Sequence, residues 1–184
     1  IVFASDRTCN YDIWEINLET GQETQLTTYP DDDADPHKSP DGEKLLHTRE
    51  IKSRYSEIVL NTNGTEVSLF RAEGTSFFRP SWNTDNTGFS FISHNRTEIK
   101  LNFIRDVDSR KAQANAFILD QGDIFPFRAH WTESDGVFYT GDGAIKHIGN
   151  SLQKENNVAF EATIVANPPD YPRKNVNFRD KASK

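Results

Sequence analysis

The sequence repeats itself at a spacing of about 44 residues, and that spacing constrains the fold more than any other feature of the chain. The stretch Asp35-Pro36-His37-Lys38-Ser39-Pro40-Asp41-Gly42-Glu43-Lys44-Leu45 returns as Arg79-Pro80-Ser81-Trp82-Asn83-Thr84-Asp85-Asn86-Thr87-Gly88-Phe89. Pro36 meets Pro80, Asp41 meets Asp85, and Leu45 meets Phe89. A further copy, shifted by about 49, sets Arg128 against Arg79 and Trp131 against Trp82, then runs through Ser134-Asp135-Gly136 into Val137-Phe138-Tyr139. Counted backward, Leu45-Leu46-His47 lands on Ile1-Val2-Phe3, so the chain opens part-way through a copy.

Each copy has the same internal order. A short segment ends in a long or aromatic side chain: Lys38, Trp82 or Trp131. A turn follows, rich in Pro, Asp, Asn and Gly, because Pro presets φ, Asp bonds its own backbone and Gly takes a positive φ. The turns are Ser39-Pro40-Asp41-Gly42, Asn83-Thr84-Asp85-Asn86 and Ser134-Asp135-Gly136. An alternating strand such as 88–93 comes next, then a third strand (12–18, 57–61, 98–104 or 144–148) and a fourth (23–27 or 65–70). In the third copy the fourth strand must lie within 111–119. Four short antiparallel strands per unit are the signature of a β-propeller blade. The expected fold is therefore all-β, about four four-stranded antiparallel units with the first incomplete, part of a larger propeller. Approximate blades span 1–28, 34–71, 78–119 and 126–166, and 167–184 is a Pro-containing basic linker or tail. Trp14, Trp82, Phe89, Phe91, Phe103, Trp131 and Phe138 are expected to be buried between blades.

Composition removes several function classes. With 13 Phe, 5 Tyr and 3 Trp, the chain has too many rings to stay disordered. A net charge of −7 argues against a nucleic-acid partner, which needs a basic face. The basic stretch Tyr171–Lys184 reads as a linker instead. No apolar run approaches the roughly 20 residues of a membrane span. The chain has no Met and opens inside an apolar run, which reads as a piece of something longer, and no signal peptide is visible. The single Cys9 cannot form an internal disulfide and reads as a thiol in a turn.

Chemistry is harder to find. His37, His47, His94, His130 and His147 show no metal-ligand spacing. No Gly-x-Ser-x-Gly nucleophile motif occurs, and Gly141-Asp142-Gly143 reads as a hairpin turn. No catalytic residue and no cofactor is assigned. The candidates for a metal are Asp31, Asp33 and Asp35, at alternate positions like a calcium loop. Pro36 and Gly42 stand where such a loop wants Gly and Glu, so a solvated inter-blade loop is the competing reading. Asp35, Asp41, Asp85 and Asp123 could pair across blades as glycosidase carboxylates, but Asp41 and Asp85 fall in the repeated turn. Ser39, Pro40, Asp41, Gly42, Pro80, Trp82, Asp85, Trp131, Asp135 and Gly136 are read as the structural repeat motif.

Two resemblances stand on these residues. Ile1-Val2-Phe3-Ala4-Ser5-Asp6-Arg7, Asp12-Ile13-Trp14, Gln25-Leu26-Thr27 and Asp35-Pro36 with Ser39-Pro40-Asp41-Gly42 resemble the TolB-type β-propeller repeat. Asn83 and Asn86 depart from it, standing where the motif has Ser and Gly. Gly122-Asp123-Ile124-Phe125-Pro126-Phe127-Arg128, Trp131, Tyr139-Thr140-Gly141-Asp142-Gly143, Phe160-Glu161-Ala162-Thr163 and Tyr171-Pro172-Arg173-Lys174 are similar to propellers that precede bacterial amidohydrolase domains. The resemblance implies a non-catalytic binding or scaffold segment of a larger hydrolase polypeptide, in a periplasmic or secreted setting. The alternatives are a propeller hydrolase with carboxylates in its central channel, and a stand-alone TolB-like periplasmic protein-binding module. The partner is a protein or the remainder of the same polypeptide. Open blade edges carry unpaired backbone groups, so self-association through them is also expected, read by sedimentation at micromolar concentration. A strictly monomeric, high-melting species would contradict that.

Overall fold

The computed structural model of this chain describes residues 1–52, 54–107, 116–119, 123–134, 136–152 and 155–163, with only the backbone for 116–119. The regular elements among them are all β-strands, in four antiparallel sheets that each follow chain order. Blade 1 is β1 (Val2–Ser5), β2 (Asp12–Ile16) and β3 (Glu23–Gln25). Blade 2 is β4 (Asp32–Lys38), β5 (Lys44–Ile51), β6 (Tyr55–Thr62) and β7 (Thr65–Glu73). Blade 3 is β8 (Ser76–Trp82), β9 (Phe89–His94), β10 (Ile99–Ile104) and β11 (Ala116–Leu119). Blade 4 is β12 (His130–Thr132), β13 (Gly136–Gly141), β14 (Ala144–Ile148) and β15 (Glu155–Asn157). The strand sought within 111–119 is β11, paired to β10 from Leu101↔Leu119 to Ile104↔Ala116. Among the described residues no helix is long and apolar enough to cross a membrane.

The repeated turns work through side-chain acceptors. In blade 2 the Lys44 amide donates to Ser39 Oγ at 2.9 Å, and the Glu43 amide donates to Asp41 Oδ1 at 3.0 Å. In blade 3 the Gly88 amide donates to Asn83 Oδ1 at 3.0 Å, and the Thr87 amide donates to Asp85 Oδ1 at 2.9 Å. Asn83 thus does the work of Ser39, and Asn86 at φ +64° takes the left-handed place of Gly42 at φ +79°. The two departures from the motif conserve its hydrogen bonds. Asp135 lies outside the described residues.

Apolar packing sits between blades, not within them. Leu46, Ile58 and Leu60 of blade 2 meet Phe77, Trp82, Phe89, Phe91 and Ile104 of blade 3. The other face of blade 3 presents Ile92, Leu101 and Phe103 to Val137, Tyr139 and Ile148 of blade 4. Phe89 to Ile92 are consequently all buried, as in a strand covered on both sides. At each seam the last residue of an inner strand, or the corresponding Trp of blade 4, reaches back to the blade before it. Lys38 pairs with Glu15, the Trp82 indole N–H donates to the His37 carbonyl at 3.1 Å, and the Trp131 indole N–H donates to Ser90 Oγ at 3.0 Å.

Gly88 and Gly136 occupy one repeat position, at the entry to the second strand. A Cβ at Gly88 would lie 2.1 Å from the Ile104 carbonyl oxygen, and one at Gly136 would lie 2.2 Å from that of Ile148. Both obstacles are backbone of the third strand, which cannot yield without loss of pairing. Gly88→Ala is expected to destabilise by roughly 1–3 kcal/mol, the usual cost of overpacking. Gly136→Ala adds the strain of φ +98°. Urea unfolding of both variants, with melting unchanged in Gly88→Ala as the contrary result, checks this.

Four expectations are corrected. Trp82, Phe89, Phe91 and Phe103 are buried, but Trp14, Trp131 and Phe138 are only half-buried. Trp14 lies on the face of blade 1 away from blade 2, beneath the Arg7 guanidinium at 4.4 Å. Phe138 lies on the face of blade 4 away from blade 3, stacked on His147 at 4.6 Å. Trp131 is in the blade 3–4 seam, edge-on to Phe103, with its rim open to a polar groove. Val158, Phe160, Ala162 and Ile164 alternate as one face of a strand would, but the last strand among the described residues lies before them. It is Glu155–Asn157, because the Glu155 carboxylate is drawn in by Lys146 Nζ at 2.8 Å and by the Tyr139 hydroxyl. Phe160 beyond it is 68% exposed, and Ile164 lies outside the described residues.

Candidate functional site

The face of blade 2 that looks toward blade 1 carries charge where the opposite face carries Leu46, Ile58 and Leu60. Alternation along β5 puts Leu45, His47, Arg49 and Ile51 on that face. Asp33 stands directly opposite Arg49 in the β4–β5 register, and Glu66 arrives from the start of β7. Asp33, His47 and Glu66 therefore bring a carboxylate, an imidazole and a second carboxylate within 4.8 Å of one another. Asp33 and His47 are fully buried, and Arg49 nearly so.

Arg49 occupies this cluster as its cation. Nε donates to Asp33 Oδ1 at 2.7 Å and Nη2 to Asp33 Oδ2 at 2.9 Å, a bidentate fork. Nη2 also reaches Glu66 Oε2 at 2.8 Å. The Tyr29 ring lies 3.8 Å from the guanidinium carbon and closes the site on the blade 1 side. Burial pushes the Asp33 carboxyl up, against the pull of Arg49 and of the Thr27 hydroxyl. Burial alone would lower the guanidinium, but Asp33 and Glu66 outweigh it and hold Arg49 above its ordinary range. A metal ion would have to displace a guanidinium that already satisfies both carboxylates. The cluster is a lock between strands and between blades.

His47 completes the lock as a neutral ring. Its Nε2 lies 3.4 Å from Arg49 Nη2 and 3.6 Å from Asp33 Oδ1, and its other nitrogen is Nδ1. That Nδ1 is buried with no hydrogen-bond partner. Burial first, then the Arg49 charge, lowers its pKa to about 4. His37 is lowered to about 4 by burial and by Arg128. For a histidine whose folded pKa is depressed, the stabilising contribution is complete above the unfolded value of 6.5 and is lost as pH falls toward 4. Stability is expected to drop on the order of 3 kcal/mol on His47's account across that window. The raised Asp33 acts the other way, favouring the folded state as pH falls through the carboxylate range. Urea midpoints in a pH series should show the acid loss in wild type and a flatter profile in His47→Leu. Superimposable profiles would refute the assignment.

The three alternating aspartates do not share one centre. Asp31 Oδ1 accepts from the Lys52 amide at 3.3 Å, Asp33 holds Arg49, and Asp35 pairs with Arg79. Asp41 and Asp85 accept within their own turns. The Asp123 amide donates to Asp142 Oδ1 at 2.7 Å, which ties Asp123 to the 141–143 hairpin. Of the four aspartates that could pair across blades, Asp35 is thus engaged by Arg79, and Asp41 and Asp85 by their own turns. His130 is exposed on β12, and Cys9 is exposed in the β1–β2 turn with φ +87°.

The crystal structure of TolB from Acinetobacter baumannii superposes with a TM-score of 0.70, at 15% identity, over 87% of this chain and 41% of that one. The sheets are the blades of a TolB-like β-propeller. A candidate TolB from Agrobacterium tumefaciens gives a TM-score of 0.54 at 16% identity, over 65% of this chain and 46% of that one. An acylaminoacyl peptidase from Pyrococcus horikoshii follows at 0.49 and 15% identity, over 88% and 33%. The TolB-like propeller described here spans less than half the length of any of these chains. No family model matches the sequence, and no curated protein matches it significantly.

Sequence reasoning named Asp33 but not His47, Arg49 and Glu66 as its companions. A signal existed: His47 and Arg49 stand two apart within the strand segment 45–51, bounded by Leu45, Leu46 and Ile51, which puts both on one face.

Proposed function

We propose that this TolB-like propeller is a non-catalytic binding or scaffold module belonging to a larger hydrolase polypeptide of the amidohydrolase type. Its partner is a protein or the remainder of its own chain, in a periplasmic or secreted setting. The observation that supports this reading is Arg49: in the one carboxylate–imidazole cluster of the described residues, its guanidinium already bonds both carboxylates, and Asp33 and His47 are buried. Ser39, Asp41, Asp85 and Gly136 serve the turns and strand entries, and Trp82 and Trp131 the seams, which supports reading the repeat motif as structural. The domain plan kept with this proposal is blades over 1–166 and a linker over 167–184. A stand-alone TolB-like protein-binding module is the second reading, favoured by the superposition on TolB. The purified chain, with and without Zn²⁺, should turn over no amide, ester or glycoside substrate. Turnover abolished by His47→Leu or Asp35→Asn would overturn the proposal.

A further inference from the structure

The inner strands of blades 2, 3 and 4 bring one repeat position to the propeller axis three times. β4 and β8 both bulge there, between Ala34 and His37 and between Phe78 and Ser81. Asp35 and Arg79 sit in those bulges, both at φ +53°. Arg128, two residues ahead of β12, is the third copy. Its Nη1 donates to the Pro80 carbonyl of blade 3, and its Nη2 donates at 3.3 Å to the Pro36 carbonyl of blade 2. One side chain reaches two other blades only where the blades converge.

The charges at this convergence do not balance. Asp35 is used up by Arg79, accepting from its amide at 3.0 Å and from its guanidinium. Arg79 Nε also reaches the Pro126 carbonyl at 3.4 Å, so the Arg79 side chain leans toward Arg128. Arg128 donates to carbonyls and forms no ion pair among the described residues. His37 is neutral and adds nothing. Two guanidiniums face one carboxylate in a chain whose overall charge is −7.

We propose that the axial position between Arg79 and Arg128 binds an oxyanion, the carboxylate or phosphate group of a ligand. Arg79 Nη2 and the second hydrogens of the Arg128 Nη1 and Nη2 groups remain to donate to the oxygens of such a group, and Arg79, about half-exposed, leaves the approach open. The proposal rests on the reading of this chain as a binding module, and gives that module a ligand chemistry.

The test titrates malonate, inorganic phosphate and sodium chloride at matched ionic strength into the folded chain, following the arginine Nε–H signals by NMR. Saturable shifts of Arg79 and Arg128 are expected with malonate or phosphate. Tighter malonate binding identifies a carboxylate ligand, and tighter phosphate binding a phosphate ligand. Arg79→Gln should weaken binding roughly tenfold or more, and Arg79→Lys should restore only part of it, because the charge returns without the fork. Arg79 carries the test even if Arg128→Gln fails to fold, since Arg128 also bridges carbonyls. Equal shifts with chloride, or unchanged affinity in a folded Arg79→Gln chain, would overturn the site. Substrate turnover by the chain would instead overturn the proposed function and leave the anion site standing.

Discussion

Truncating Trp82 to Ala will lower the stability of the propeller by about 3–5 kcal/mol, the range for large aromatic residues removed from a core. Trp82 is 3% exposed and packs among Leu46, Leu60, Phe77 and Phe89 in the blade 2–3 seam. Truncation opens a cavity that two sheets line, and neither sheet can collapse into it without breaking its own pairing. The indole also donates to the His37 carbonyl, and the Trp82 amide donates to His37 Nδ1 at 3.1 Å. Trp82→Phe keeps most of the volume and leaves that carbonyl without its donor, so a smaller loss of about 1 kcal/mol is expected. Chemical denaturation separates the two variants. A Trp82→Ala curve that overlays wild type would mean that the seam does not depend on this residue.

Replacing Arg49 with Met will cost a similar amount, about 3–5 kcal/mol at neutral pH, for a different reason. The lost contacts matter less than what remains: the Asp33 carboxylate, fully buried, with its forked partner gone. Exchanging Asp33 for Leu together with Arg49 for Met removes the stranded charge as well. Most of the loss should then return, because a buried pair is worth little against a packed apolar substitute. Acid should also narrow the deficit of the single variant, since burial already raises Asp33 and the opposing pull of Arg49 is gone. A single-variant loss under about 1 kcal/mol would show that Arg49 behaves as an ordinary surface charge.

The blades were legible because their signals are local. Asp41 and Asp85 with Gly42 or Asn86 write a turn within four residues, and Phe89 to Ile92 write a strand within four more. The seams were less legible, because a repeat shows that two positions correspond without showing what covers either of them. Trp14 and Phe138 align with strand positions that are buried elsewhere, yet lie on faces that no described blade covers. The Asp33–Arg49–Glu66 lock depends on register across three strands, and a one-residue slip would send these side chains to the other face. At the axis, the alignment of Arg79 with Arg128 was visible, but their convergence depends on bulges that a spacing does not encode. The end of blade 4 misled because apolar alternation at 158–165 competed with a polar anchor. Glu155 is held by Lys146 and Tyr139, partners set by the fold.

The backward reach of Lys38, Trp82 and Trp131 gives the molecule a direction in time as well as in space. On a ribosome the earlier sheet emerges first, and domains form from the N-terminal side as synthesis proceeds. Glu15 is out before Lys38, His37 before Trp82, and Ser90 before Trp131. Each new sheet finds the acceptor it needs already laid down. A chain deprived of its first blade would leave Lys38 to begin the stack with no acceptor waiting.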